Sequence, residues 1–223
     1  MISRKEDIYL TEMASYLKEK GVTFYTHEKV QDLVISKDAI KEVMTTKRKL
    51  KADEVLIAAG SWSPLLTRKL GVKIPIQAGK GYRINTERET GITIPALLVE
   101  AKVAVTPMNG FTRFAGTMEL AGINDNINPK RVKAISKSVS NYYQGLSLTK
   151  EEEATADFGL RPCSPDGLPY IGRTHKYKNL IIASGHAMMG WSLGPPTGKL
   201  VSEIISDKKL SLDIKPFHPD RKF

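Results

Sequence analysis

Apolar residues recur with helical spacing at the start of the chain. Leu10, Met13, Ala14 and Leu17 are three or four positions apart, which places them along one side of a helix. Gly21 follows them, and glycine is the residue that most often ends a helix. The pattern therefore predicts an amphipathic helix that ends before residue 21.

Strand patterns follow this helix. VTFYT at residues 22–26 predicts a strand, and the pair DLVIS and IKEVMTT predicts a hairpin across Lys37 and Asp38. ADEVLIAAGSWS at residues 52–63 is an almost continuous apolar run that ends in small residues. Such a run is typical of a buried strand in a sheet covered by helices.

The pattern changes near residue 72 to short alternating segments separated by Gly, Pro and Asn. These segments predict an antiparallel sheet: GYRINT, ALLVEAKVAVTP and FTRFAGTMEL. A helix between Pro129 and Gly145 is predicted next. The last portion reads as a strand, NLIIASG, a glycine-bounded loop and a helix with Pro195 and Pro196 in its first turn.

An α/β beginning and end thus bracket an antiparallel middle. This order predicts an α+β fold in which one domain is inserted into another. The expected bounds are 1–71 and 156–223 for the outer domain and 72–155 for the inserted one.

Composition narrows the functional class. The net charge is +10 over 223 residues, but the basic residues are spread along the chain without interleaved aromatics. A solvated basic face is therefore expected rather than a nucleic-acid groove, and peripheral attraction to an anionic membrane stays open. The single cysteine, Cys163, allows no internal disulfide and has no metal-ligand spacing, so the sequence predicts no metal site and a reducing, cytoplasmic compartment.

The segment TADFGLRP carries the most suggestive charge. Strand alternation puts Asp157, Gly159 and Arg161 on one face, and Pro162 keeps Arg161 extended. The planar guanidinium suits a carboxylate, and Gly159 leaves space beside it. The alternative is a surface or inter-domain salt bridge, which periodicity alone slightly favours.

Other polar residues in the last third have structural explanations. Ser164-Pro165-Asp166-Gly167 fits a type I turn, so Asp166 needs no catalytic role. Neither Cys163 nor His186 has an identifiable partner, and no catalytic residue is predicted. The loop GHAMMGWSLGPPTGKL departs from the phosphate-loop spacing, yet its helix start would suit an anion such as the N1/O2 edge of a reduced flavin.

Four segments together resemble the FAD-dependent amino-acid oxidoreductases of the D-amino-acid oxidase/glycine oxidase superfamily, and most closely the small subunit of bacterial D-amino-acid dehydrogenases. They are ADEVLIAAGSWSPLL, KGY at 80–82, GLRPCSPDGLPYIG and GHAMMGWSLGPPTGKLVSEII. The resemblance implies a partial FAD-binding α/β layer with an inserted antiparallel substrate domain.

The resemblance also implies roles for individual residues. Arg161 would receive the carboxylate of an amino-acid substrate, with Tyr82 and Met188 beside it. Hydride transfer from the substrate Cα to FAD, followed by imine hydrolysis, would then give a 2-oxo acid. The residues implied at FAD are Val30, Ala59, Gly60, Trp62, Gly159, Gly185, His186, Met189, Gly190, Trp191, Ser192 and Leu193.

Two departures from the family shape the expectation. The strand–Gly-x-Gly-x-x-Gly–helix element that holds the FAD pyrophosphate is absent from this sequence, so we expect a C-terminal fragment that lacks FAD and is inactive alone. Met188 stands where glycine oxidases carry an arginine, which favours the dehydrogenase branch. The expected substrate is a D-amino or imino acid; a glycine/sarcosine-type oxidase and a non-catalytic binding module are the alternatives.

Overall fold

The structure is a computed structural model that describes residues 4–222. Two compact units divide the chain. The first unit comprises the residues up to Glu28 together with Gly81–Met118 and Asn126–Phe158. The second comprises Lys29–Lys80, Glu119–Asp125 and the residues from Gly159 onward. The bounds expected from the sequence, near residues 71 and 155, stay a prediction.

Helices and strands both contribute, as expected for an α+β fold. The helices are α1 (Arg4–Glu19), α2 (Ser63–Lys69), α3 (Pro129–Tyr142), α4 (Lys150–Ala154) and α5 (Gly190–Ile205). The strands are β1 (Val30–Ser36), β2 (Ala39–Thr45), β3 (Lys49–Lys51), β4 (Val55–Ile57), β5 (Gln77–Thr86), β6 (Ala96–Leu98), β7 (Val103–Met108), β8 (Phe111–Glu119), β9 (Asp157–Cys163), β10 (Tyr170–Arg173) and β11 (Leu180–Ser184).

Three sheets result. Their strand orders are β1-β2-β3, β10-β11-β4 and β6-β7-β8-β5-β9. The first sheet is antiparallel, and so are β6, β7 and β8 in the third. In the second sheet β11 pairs parallel with β4 and antiparallel with β10. The parallel pair matters for the site because the carboxyl ends of its two strands lie at one edge.

The core of the first unit forms between α3 and sheet residues. Asn128 caps α3 by accepting a hydrogen bond from the Lys130 amide, and Pro129 occupies the first turn, where no amide partner is needed. Val132, Ile135 and Val139 are buried, as the helical spacing predicts. Burial of each such side chain contributes about 1.5–3 kcal/mol.

The second unit has a core on each side of the β10-β11-β4 sheet. Alternating side chains divide between them, since Leu180 and Ile182 join one cluster and Ile181 joins the other, with Leu200 of α5. Asn179 ties the sheet to the β1–β2 hairpin: its side chain accepts from the Ile40 amide and donates to the Ile40 carbonyl, both at 2.8 Å. A buried amide with both ends paired fixes this register.

Several expectations hold. The hairpin across Lys37 and Asp38 is present as β1 and β2. Helix α1 ends as predicted, because Gly21 has φ +88° and donates to the Lys18 carbonyl while Val22 donates to the Leu17 carbonyl. The apolar residues of α1, however, remain largely exposed rather than packed in a core.

Other expectations are wrong. VTFYT at residues 22–26 forms no strand, because no described strand pairs with it, and Val22 and Phe24 are exposed. Helix α5 begins at Gly190, so Pro195 and Pro196 lie inside it rather than in its first turn. The short strand β3 carries no strong pattern in the sequence, whereas α4 begins with the capping pair Thr149 and Glu152, which was not used in the prediction.

No helix among the described residues combines the length and the apolar character required to cross a bilayer.

Candidate functional site

Arg161 occupies β9 as a half-buried side chain. Its Nη1 atom is buried and has no hydrogen-bond partner among the described residues. Burial lowers the pKa of the Arg161 guanidinium from its ordinary value, and the Cys163 thiol opposes that shift. An arginine donor that has lost water without gaining a partner is costly unless a ligand supplies the acceptor. This atom is therefore a candidate anion contact.

The end of β9 lies beside the loop that follows β11. Cys163 and His186 form an antiparallel bridge, and the Ala187 amide donates to the Pro162 carbonyl at 2.9 Å. Gly185 begins the loop with φ +92°, and a Cβ there would lie 3.1 Å from the Tyr170 ring. Glycine is required at this position by both its backbone angle and its close neighbour.

His186 anchors the loop to helix α5. Its Nε2 atom is 2.9 Å from the Thr197 hydroxyl, and burial lowers the pKa of His186. No carboxylate pairs with His186 among the described residues. This environment suits a neutral imidazole that positions the loop.

Large apolar side chains of the same loop and the first turn of α5 are exposed. Met188 is 71% exposed, and Met189 and Trp191 are each more than half exposed. Met189 is the N-cap of α5 but gives its first turn no side-chain hydrogen bond. Gly190 and Ser192 are exposed as well, while Leu193 is half-buried. Exposed methionine and tryptophan in one short segment mark a contact surface rather than a core.

A second turn lies at the same sheet edge. Ala59 precedes a 3-10 turn, Gly60–Trp62, that follows β4, the parallel neighbour of β11. Ser63 donates to the Ser184 hydroxyl at 3.0 Å, which in turn donates to the Gly60 carbonyl at 3.1 Å. These bonds hold the turn after β4 against the end of β11. Ligands of open α/β sheets bind at this kind of edge.

Ser61 was not singled out from the sequence as a site residue. It is 3% exposed, and its hydroxyl has no partner among the described residues. The residue lines a cavity of about 220 Å³ together with Leu65, Gln77 and Leu120. A buried hydroxyl without a partner next to Gly60 indicates a candidate ligand contact. The sequence does not show it, because serine is common in turns and only the structure shows that this hydroxyl is buried.

Three further predicted site residues lie in three different strands. Val30 begins β1 in a different sheet of the second unit. Tyr82 belongs to the first unit, where it is buried and its hydroxyl accepts from the Asn128 amide at 3.4 Å. Gly159 is exposed, and a Cβ built on it would meet nothing within 4 Å.

Asp166 has the structural role expected of it. Its Oδ1 accepts from the Leu168 amide at 3.1 Å, and Gly167 follows with φ +76°. Both carboxylate oxygens also accept from Arg221, each at 2.9 Å. Hydrogen bonds from Arg221 are the main cause that holds the pKa of Asp166 below its ordinary value. This carboxylate is fully engaged and is unsuited to proton transfer.

Comparison with known proteins gives these residues a family. The DAO family, described as FAD dependent oxidoreductase, matches residues 7–204. The chain belongs to this family. A D-amino acid dehydrogenase of Agrobacterium fabrum is 32% identical over 211 residues, which are 92% of this chain and 49% of that protein. The chain thus spans about half the length of the curated relatives it matches.

Two solved structures share the fold of this chain. L-proline dehydrogenase from P. horikoshii superimposes with a TM-score of 0.82 at 23% identity, covering 94% of this chain and 57% of that one. Glycine oxidase from Geobacillus kaustophilus has a TM-score of 0.74 at 23% identity, covering 91% of this chain and 54% of that one. At this identity the likeness concerns the fold alone.

Proposed function

We propose that this chain supplies the substrate-carboxylate contact and part of the flavin site of an oxidoreductase that acts on a D-amino or imino acid. One observation carries the proposal: Arg161 has a buried, unpartnered Nη1 atom on a strand that joins the Gly185 loop. The family membership and the 32% identity to a D-amino acid dehydrogenase support the substrate class.

In this proposal Arg161 binds the substrate carboxylate through its planar set of donors. A two-point contact fixes the position of the carboxylate and hence the direction of the neighbouring Cα. Met188 would form an apolar wall beside it, where an arginine would instead attract a second acidic group. Tyr82 is proposed as the third substrate residue.

FAD is the cofactor that the family implies, and several described residues suit its flavin ring. The unpartnered Ser61 hydroxyl and the uncapped first turn of α5 offer donors, and a Cβ built on Gly60 would meet nothing within 4 Å, so space is open beside that turn. When bound, FAD would accept a hydride from the substrate Cα, and water would then hydrolyse the imine: a primary amino acid gives a 2-oxo acid and ammonia, and a cyclic imino acid gives a ring-opened 2-oxo acid that keeps its nitrogen. The residues proposed to hold FAD are Val30, Ala59, Gly60, Ser61, Trp62, Gly159, Gly185, His186, Met189, Gly190, Trp191, Ser192 and Leu193.

We also propose that the chain alone retains no FAD and has no activity. The sequence contains no strand–Gly-x-Gly-x-x-Gly–helix element, and that element normally binds the cofactor pyrophosphate. Cytoplasmic location, with or without peripheral membrane attachment, and domain bounds at residues 71 and 155 are proposed on the sequence argument alone.

The test compares the purified chain with the product of the full reading frame that encodes it. A visible flavin spectrum and dye reduction with D-amino acids or D-proline are expected of the full product only. Peroxide release with glycine or sarcosine would instead identify the oxidase alternative. A full product without flavin and without turnover would leave the non-catalytic module as the explanation and overturn the proposal.

A further inference from the structure

Three side chains with metal-binding atoms meet in the second unit. His175 lies in the turn between β10 and β11, and His218 and Asp220 lie in the C-terminal segment after the 3-10 turn Lys215–Phe217. One ligand atom from each residue lies within 4.8 Å of the other two. Two imidazoles and a carboxylate form a donor set that zinc uses in open sites with three protein ligands.

The spacing is close to that of a tetrahedral site. Asp220 Oδ2 is 3.3 Å from Nδ1 of His175 and 3.9 Å from Nδ1 of His218. Ligand atoms about 2.0–2.1 Å from a tetrahedral zinc ion are separated by about 3.3 Å. The two imidazole rings stack with centroids 4.5 Å apart and an interplanar angle of 29°, so their in-plane lone pairs do not converge on one point. Rotation of the exposed His175 side chain is therefore required before the three ligand atoms can surround one ion.

The backbone around these ligands is held in place. Asp220 Oδ2 accepts from the His175 amide at 2.7 Å, which links the C-terminal segment to the turn. Pro219 is packed against Gly172, where a Cβ would lie 3.1 Å from the proline ring. Arg221 is fixed by Asp166 and donates to the Pro169 carbonyl at 3.1 Å. A site held by its neighbours loses little conformational entropy when a metal binds.

Two of the three ligand atoms already accept hydrogen bonds from backbone amides. His218 Nδ1 accepts a hydrogen bond from the Asp220 amide at 3.1 Å, so this nitrogen is unprotonated and its lone pair faces the amide. A bound metal would replace this hydrogen bond. Arg221 pairs with Asp166, so Asp220 remains open to a metal.

We propose that His175, His218 and Asp220 bind one divalent transition-metal ion, with zinc as the best match to this nitrogen and oxygen donor set. Solvent occupies the fourth coordination position, since His175 is 80% exposed. The ion joins the C-terminal segment to the β10–β11 turn. This inference concerns a site separate in its residues from the proposed flavin and substrate contacts.

The test measures Zn²⁺ and Co²⁺ binding to the metal-free chain by calorimetry and by the visible spectrum of cobalt. One ion per chain is expected, with a tetrahedral cobalt spectrum. His175→Ala should weaken binding about tenfold or more. Because the His175 side chain is so exposed and its amide contact to Asp220 is retained, this variant should fold normally. Asp220→Asn provides a second ligand variant.

His27→Ala is the matched control, because His27 is exposed and outside the cluster. It should bind zinc like the unchanged chain and show the same rise of Tm on zinc addition. Absence of binding to the unchanged chain would overturn the proposal. Binding that His175→Ala and Asp220→Asn leave unaltered would overturn it too, because the ion would then lie elsewhere.

Discussion

Two arginines of the second unit differ in how their guanidinium groups are hydrogen-bonded. Arg221 donates to both oxygens of Asp166 and to the carbonyls of Leu168 and Pro169, and its guanidinium lies 3.8 Å from the centre of the Tyr170 ring. Arg161 is half-buried, yet its Nη1 atom has no partner among the described residues. The guanidinium of Arg221 thus has partners within the chain, whereas that of Arg161 keeps a buried donor without one.

This difference distinguishes an arginine that stabilises the fold from an arginine that is available to bind a ligand. A guanidinium whose donors are satisfied by its own chain stabilises the fold and has little left for a ligand. A buried donor without a partner lowers the free energy of unfolding. Such donors are therefore found mainly where a bound ligand supplies the acceptor. Arg161 is therefore the arginine to test for binding, and Arg221 is the one to test for stability.

The largest expected effect is that of Arg161→Leu on catalysis by the full-length protein. The apparent KM for a D-amino acid should rise about 100-fold or more, because a charged contact to a carboxylate contributes about 3 kcal/mol. Flavin content should remain near normal. Steady-state kinetics and the visible spectrum provide the two readouts, and unchanged kinetics would remove Arg161 from the substrate site.

Arg221→Leu should have the next largest effect, and on a different quantity. It breaks the pair with Asp166 and several carbonyl contacts, so the free energy of unfolding should fall by about 2 kcal/mol. Urea unfolding of the chain measures this change. Arg161→Leu is the matched substitution, and it should leave the unfolding free energy unchanged or raised. An equal loss in both variants would erase the distinction between the two arginines.

A smaller effect should appear in the pH dependence of stability. The pKa of Asp166 is lowered in the fold by Arg221, so its contribution is present above the unfolded pKa, about 3.9, and is lost as pH falls through the folded value. The free energy of unfolding of the unchanged chain exceeds that of Arg221→Leu, and this difference should therefore decrease below pH about 4, by less than about 1 kcal/mol. Thermal unfolding across pH 3–7 would reveal it. A gap that is constant or widens in acid would contradict the assignment.

The smallest expected change in stability is that of Gly159→Ala. A Cβ at this position meets nothing within 4 Å, so the free energy of unfolding should change by less than about 0.5 kcal/mol. If Gly159 leaves room for a ligand beside Arg161, the full-length protein should nevertheless bind substrate or flavin less well. Full activity in this variant would show that the space beside Gly159 is unused.

Local sequence patterns predicted much of the fold. The hairpin of β1 and β2, helix α3 with Pro129 at its start, and the alternating strands follow from spacing and from turn residues. Prediction failed where the structure of a segment depended on contacts with distant parts of the chain. VTFYT has the composition of a strand, but no described strand is available to pair with it. Helix α5 begins at Gly190 although Pro195 predicts a later start.

The candidate site shows the same division. Periodicity predicted the strand that carries Arg161, and the glycines marked the loop at Gly185. The substrate role of Arg161 was implied by the family resemblance alone and stays a prediction. The buried hydroxyl of Ser61 was missed as a site residue, because nothing in the sequence distinguishes it from other turn serines. The cluster of His175, His218 and Asp220 was not predicted, because His175 is 45 positions from Asp220 in the sequence and only the fold brings it to His218 and Asp220.

The amino-acid sequence by itself determined the class of fold, the turn role of Asp166 and the extended setting of Arg161, since each depends on residues that are neighbours along the chain. Only the tertiary structure decided which of the two arginines forms an ion pair with a carboxylate of the chain. Arg221 reaches Asp166 across 55 positions of sequence, whereas the fold brings no acceptor to Nη1 of Arg161 within the described residues. Burial and partnership are properties of distant segments packed together, and local pattern does not encode them.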